Sequence, residues 1–226
     1  VRAGFDFPHL FIDGTADGAS WSREFGLEVT ARGGNNVKAY GHWVLSLAEL
    51  YIRKPTATHY AVFQDDFLTY SNLRQYLERA LFPQKAYLNL YTFPSNTPAA
   101  LRTAKLEAPQ DGYRGFYRAN QRGKGAVALI FRRDAVVKLL TQQGIVERPM
   151  AASGRGTKNL DGAVVTAMQK IDPVRTPLGE VGWEEYVHYP TLTLHIGMQS
   201  SIGNRPHEQG VGFLGEEYDA LQFLKG

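Results

Sequence analysis

The sequence predicts an α/β fold whose sheet is at least partly parallel. Short apolar runs alternate with stretches of helical periodicity up to about residue 143, an order that sets helices between parallel strands. Composition agrees: 43% hydrophobic and 21% charged residues are the globular norm and exclude disorder, collagen and coiled coil. A compact chain of 226 residues buries roughly 70% of its unfolded surface and needs no staple to hold a core. With no cysteine present, a disulfide framework, a Cys-ligated zinc and a thiol nucleophile are also excluded.

The elements follow in chain order. Val1 to Gly4 reads as the end of a helix with Gly4 as its cap. Pro8 to Ile12 (PHLFI) is a buried strand closed by the turn Asp13-Gly14, and Arg32 to Asn36 (RGGNN) is a loop. Val37, Tyr40, Val44, Leu47, Ala48 and Tyr51 fall on one helical face, which Pro55 stops. His59 to Phe63 (HYAVF) is a strand running into Gln64-Asp65-Asp66. Ser71 caps an expected helix through Leu81, and Ala86 to Tyr91 is the next strand. Thr92 to Gly125 reads as a long functional loop rich in Pro, Gly and Arg. Ala126 to Phe131 (AVALIF) is a buried strand, and Asp134 leads a helix through Gln143. Ala151 to Asn159 is a basic loop, after which Asp161 opens the helix Gly162 to Lys170. Thr191 to Ile196 is a late strand, and the tail from Pro206 reads as an appended segment.

A net charge of +3 is too small to argue for nucleic acid. Locally, Arg102 to Arg133 holds eight basic residues against Glu107 and Asp111, while the rest of the chain is net negative. Such a segment suits a phosphate-bearing ligand, or it is a salt-bridged surface. No apolar run approaches the roughly 18–20 residues that span a bilayer, and no signal peptide opens the chain. The expected location is cytoplasmic, with no transmembrane segment.

Asp65-Asp66 is the sharpest local signal. Adjacent carboxylates after a buried strand repel one another unless a cation or hydrogen-bond donors neutralise them. Mg²⁺ or Mn²⁺ takes one or two carboxylates and completes its shell with substrate phosphates. The structural alternative has Asp66 capping the next turn and Asp65 in water. His195 ends a strand and can supply a nitrogen to the same ion, or be simply hydrogen-bonded in place. Asp161, behind the basic loop, can serve as a general base or as a helix cap. Arg122 and Lys124, flanked by Gly123 and Gly125, can meet a diphosphate with little bulk in the way. Trp21, Trp43 and Trp183 read as core or pocket wall; Trp183, beside Glu184-Glu185, suggests stacking on a sugar.

The order of these segments resembles a GT-A glycosyltransferase. A strand ends in QDD, a glycine turn feeds a buried strand (GKGAVALIF), an Asp opens a late helix (NLDGAVV), and HIGMQSS follows. The ending YPTLTLHIGMQSSIGN is similar to the close of the N-acetylglucosaminyltransferase IV-like family, and AGFDFPHLFIDG to the second-strand region of its bacterial and viral relatives. The resemblance covers most of Gly4 to Asn204. It implies a Rossmann-like, mostly parallel mixed sheet flanked by helices, and metal-dependent sugar transfer from a nucleotide-sugar, commonly UDP-linked, to an acceptor hydroxyl on a glycan or other molecule. Gln64-Asp65-Asp66 takes the place of the DXD motif. Asp66 then binds Mn²⁺ or Mg²⁺, Asp65 holds the ribose or supports the metal shell, and His195 closes the metal and diphosphate site. Asp161 matches the catalytic base, which implies inversion at the anomeric carbon. Asp13 and Tyr40-Gly41-His42-Trp43 line the nucleotide side. The family's first strand has no counterpart here, so the expected organisation is a catalytic domain over 1–205 lacking that strand, then the segment 206–226.

Three other readings stand beside it. A metal-dependent phosphohydrolase or nucleotidyltransferase would use Asp65 and Asp66 and release phosphate or pyrophosphate. A non-catalytic nucleotide- or carbohydrate-binding domain would show no turnover. A nucleic-acid module ranks last, since no recognition motif is present.

Overall fold

In the computed structural model the described residues are 3–34, 37–97, 114–150, 159–177, 179–197 and 208–225. The N-terminal part is a parallel strand pair, β1 (His9–Asp13) with β2 (Glu28–Arg32), joined by α1 (Gly18–Phe25). The Asp17 side chain caps α1 by accepting from Ser20 N at 3.0 Å, and Gly26, at φ 64°, ends it. Next comes α2 (Lys38–Arg53), whose periodic face buries Tyr40, Trp43, Val44 and Leu47.

The rest follows as β3 (His59–Phe63), β4 (Phe67–Thr69), α3 (Leu73–Leu77), β5 (Ala86–Asn89), β6 (Gly115–Arg118), β7 (Ala128–Arg132) and α4 (Arg133–Leu140). Then come α5 (Gln143–Val146), α6 (Leu160–Met168), the hairpin β8 (Val174–Thr176) and β9 (Gly179–Val181), β10 (Glu184–Tyr189) and β11 (Thr193–His195). A 3-10 helix, Ala220–Lys225, closes the described chain.

Five strands form the central sheet in the order β3-β7-β5-β10-β6. Side chains alternate across it, so Tyr87, Leu129 and Phe131 meet the cluster containing α2, α4 and α6, while Leu88, Ile130 and Phe116 meet α3 and the 3-10 helix. The fold class is therefore mixed α/β, with helices on both faces.

The expected mostly parallel sheet is corrected. Only β5 with β10 is parallel, and the other three neighbour pairs are antiparallel. Strand–helix alternation does make β3 and β5 run the same way, but they are not neighbours. Between them lies β7, antiparallel to both. Its ladders with the two, Tyr60 opposite Phe131 and Leu88 opposite Ile130, fix that direction.

Three local expectations also change. The helix expected from Ser71 through Leu81 is Leu73–Leu77; Ser71 does not cap it but bridges to Asp219, and its Oγ donates to Tyr218 O at 3.2 Å. The stretch Thr92 to Gly125 contains a strand, β6. Trp183 is only 3% exposed and packs in the core with the Arg132 guanidinium 5.7 Å from its ring, so it offers no face to a sugar.

Residues 208–225 pack against the sheet and α3. Val211 N donates to Thr92 O, and Leu214 N to Tyr70 Oη at 2.9 Å. No helix among the described residues is long and apolar enough to cross a membrane.

Candidate functional site

As β3 ends, Gln64 N donates to Val127 O at 2.8 Å, fixing where the carboxylates emerge. The chain turns through Asp65 and Asp66 into β4, which pairs antiparallel with β11 in the register Phe67↔His195. That register brings His195 Nε2 to 2.9 Å from Asp66 Oδ2. Ile196 N donates to Asp66 O at 2.9 Å. A Cβ on Gly197 would lie 2.3 Å from Asp66 Oδ2, so a glycine there leaves the carboxylate its place. Asp66 Oδ1 is buried without a hydrogen-bond partner among the described residues.

These two side chains fit a hard divalent ion. A carboxylate oxygen and an imidazole nitrogen converge, and a second carboxylate oxygen is desolvated with its lone pairs unspent. No group of three or more His, Cys, Asp or Glu that could hold a metal forms among the described residues.

Asp161 lies in the first turn of α6, where the Asn159 side chain caps the helix by accepting from Gly162 N at 2.9 Å. Its Oδ2 accepts from Gly125 N at 2.8 Å, and the Ala126 amide also donates to it. Burial raises the pKa of this carboxyl, and these amides pull it back down. The turn that supplies the amides needs its glycines. Gly123 has φ +60° and a Cβ there would sit 2.3 Å from Asp161 O; Gly125 has φ +76° and a Cβ there would sit 2.4 Å from Phe93 Cε1.

Gly125 also rests on Tyr91, a Cβ there lying 3.1 Å from its Cδ1. The Tyr91 ring stacks on Phe93 and lies 6.1 Å from the His195 ring. Burial, Glu208 and Asp66 push the Tyr91 phenol up to about 12. One continuous wall therefore runs from Asp66 through His195, Tyr91 and Gly125 to Asp161.

Asp13 belongs to a neighbouring cluster. Its Oδ2 accepts from Val37 N at 3.1 Å at the start of α2, and its Oδ1 is buried without a partner among the described residues. His42 lies 3.2 Å from Phe11 O and 3.3 Å from Arg32 Nη1. Burial and Arg32 lower the His42 pKa, while Asp13 and Asp65 oppose them, which places the exposed Asp65 in the same field.

Arg122 and Lys124 are exposed on the glycine turn, and the Lys124 carbonyl accepts from Asn89 Nδ2 at 3.0 Å. Trp43 joins none of these groups. It is 5% exposed and meets Phe131 edge-on at 5.8 Å, so it packs the core instead of lining a nucleotide. Residues 98–113, 151–158 and 198–207 lie outside the described residues, and with them Arg102 and Lys105 of the basic segment, most of the loop before Asp161 and the end of HIGMQSS.

Glu185, Asn89 and Tyr91 were missed in the sequence. Glu185 was read as a polar neighbour of Trp183, yet it falls in phase with the buried Val187 on a strand. That phase was the available signal.

The chain matches no family model and no curated protein.

Proposed function

We propose that the chain is a metal-dependent glycosyltransferase of GT-A type. It moves a sugar from a nucleotide-sugar, UDP-linked in the first instance, to an acceptor hydroxyl with inversion. The observation that supports this best is the wall joining the Asp66–His195 pair to Asp161 through Tyr91 and Gly125. Asp66 and His195 are the residues that would hold Mn²⁺ or Mg²⁺, which when bound neutralises a diphosphate leaving group. Arg122 and Lys124 supply further positive charge to that diphosphate, while Asp13 and Asp65 serve the nucleoside side.

The Gly125 and Ala126 amides and the N-terminus of α6 favour the charged form of Asp161, while burial raises its pKa and so its basicity. Asp161 takes the proton of the acceptor hydroxyl as that oxygen bonds to the anomeric carbon. The bond from that carbon to the diphosphate oxygen breaks, and the nucleoside diphosphate leaves with the electron pair. Release of nucleoside diphosphate separates this reaction from phosphohydrolase or nucleotidyl-transfer chemistry.

A second reading draws on the same Asp161 contacts. A carboxylate committed to two turn amides also suits an anchor in a non-catalytic nucleotide- or carbohydrate-binding domain. Calorimetric titration with UDP, with and without Mn²⁺, tests the donor site. Binding should require the ion and disappear in Asp66→Ala, and no metal-dependent binding of UDP or GDP overturns the proposal. Asp161→Asn should then cut transfer by about a hundredfold or more with UDP affinity retained. Undiminished transfer in that variant assigns Asp161 to the anchor role.

A further inference from the structure

Beneath the turn that holds Asp161 lies a second carboxyl group that this mechanism does not use. Glu185 sits on β10 opposite Tyr87 of β5 and is 2% exposed. Its Oε1 accepts from Asn89 Nδ2 at 2.9 Å, and the same nitrogen donates to the Lys124 carbonyl at 3.0 Å. Its backbone is gripped by Gln121, whose Oε1 accepts from Glu185 N at 3.0 Å and whose Nε2 donates to Glu185 O at 2.8 Å. The Gln121–Gly125 turn is therefore fastened at both ends to one residue, and its Gly125 amide holds Asp161. Glu185 Oε2 is buried without a hydrogen-bond partner among the described residues.

An ionised carboxylate with an unsatisfied oxygen is costly in such surroundings, and Asp161 adds a like charge. Burial, with Asp161 adding to it, pushes Glu185 up to about 7 against the pull of Asn89. From β5, Tyr87 faces both carboxyl groups, and burial and both of them drive its phenol well above its ordinary value. No cation among the described residues acts on Glu185. The positive end of α6 favours negative charge beside Asp161.

We propose that Glu185 is the positioning residue for Asp161, acting through Asn89 and the Gln121–Gly125 turn, and that the two carboxyl groups hold a single negative charge between them. The positioning role rests on reading Asp161 as the base. With the proton on Glu185, the charge sits on Asp161, where amides and the helix terminus meet it. When Glu185 releases that proton to solvent, a second charge enters the same region and Asp161 becomes more basic.

The test is carboxyl ¹³C NMR titration of the full chain labelled at Glu and Asp. Glu185 should titrate near neutrality, and Asp161→Asn should move its midpoint down by about one pH unit. Glu185→Gln should erase that signal and remove the matching inflection in kcat for sugar transfer, with the donor KM unmoved. A midpoint in the ordinary carboxylate range, or one that Asp161→Asn leaves in place, overturns the shared charge. Loss of stability in Glu185→Gln with an unchanged kcat profile overturns the positioning role. Coupled titration without any transfer supports the acid pair while overturning the transferase reading. If Glu185→Gln fails to fold, Asp161→Asn, which keeps an oxygen for the Gly125 amide, decides alone.

Discussion

Gly197 decides whether Asp66 and His195 can meet. A methyl group there would press on Asp66 Oδ2 at 2.3 Å and His195 Cε1 at 3.0 Å. The displaced atom is the end of a half-exposed side chain, so the fold accommodates the change and the site does not. Gly197→Ala should unfold within about 1 kcal/mol of the wild type, yet lose tenfold or more in Mn²⁺-dependent UDP affinity, about 1.4 kcal/mol. Thermal unfolding and calorimetry on the same sample separate the two effects, and unchanged affinity would show that the 2.9 Å pair is not what holds the ion. The strings QDD and HIGMQSS single out Asp66 and His195 in the sequence, because a carboxylate pair after an apolar strand is locally odd, and what the structure adds is that the two side chains meet. Trp43 and Trp183 mark the limit of that reading. An indole suits a pocket wall and a core equally, and only the packing of Phe131 and Arg132 against them tells which.

The first turn of α6 joins the candidate base to the fold, so its cap has consequences beyond the helix. Asn159→Ala removes the acceptor for Gly162 N and should cost about 1 kcal/mol, lowering the melting temperature by roughly 2–4 °C in a chain of this size. No shift would mean that the Asp161 bonds to Gly125 and Ala126 hold the helix start without the cap. α2 was readable because its apolar residues repeat a helical period, β3 and β7 because each is a short apolar run, and α6 because Asp161 marks a helix start. β10 was not. Its sequence EEYVHY sets two glutamates and a histidine among tyrosines, so the phase that Glu185 shares with Val187 carries little apolar contrast. The side-chain partners lie far off in sequence, Asn89 for Glu185 Oε1 and Tyr76 for His188 Nε2, 2.6 Å away. Neighbour order in the sheet was hidden for a related reason. Strand–helix alternation gives direction, but which strand inserts between two others depends on contacts far apart in sequence.

Two buried groups on opposite faces of the sheet, Glu185 and His188, contribute opposing slopes to the pH dependence of stability. His188 is fully buried among Phe116, Tyr76 and Phe223. Its Nδ1 donates to Pro190 O at 2.6 Å, so its Nε2 accepts from Tyr76 Oη, and the ring is neutral. Burial lowers its pKa from 6.5 to about 4. Between those values the unfolded chain binds the extra proton, so stability contributed by neutral His188 is complete above 6.5 and is lost as pH falls towards 4. Glu185 is displaced the other way, from 4.5 to about 7. There the folded chain keeps the proton that the unfolded chain gives up, so stability falls as pH rises through that interval. Each displacement is worth about 3 kcal/mol, and the two windows overlap across most of their width. In the wild type these slopes nearly cancel. Glu185→Gln should uncover the His188 slope, with stability relative to wild type improving by about 3 kcal/mol as pH rises from 4.5 to about 7. His188→Phe lowers stability overall, because Tyr76 Oη and Pro190 O lose their partner, but relative to wild type it should lose further ground as pH rises from about 4 to 6.5. Denaturant unfolding across this range, taken as variant minus wild type so that other titrating groups drop out, reads both signs. Parallel curves for either variant would mean that its group titrates at its ordinary value and that the opposition between the two faces does not exist.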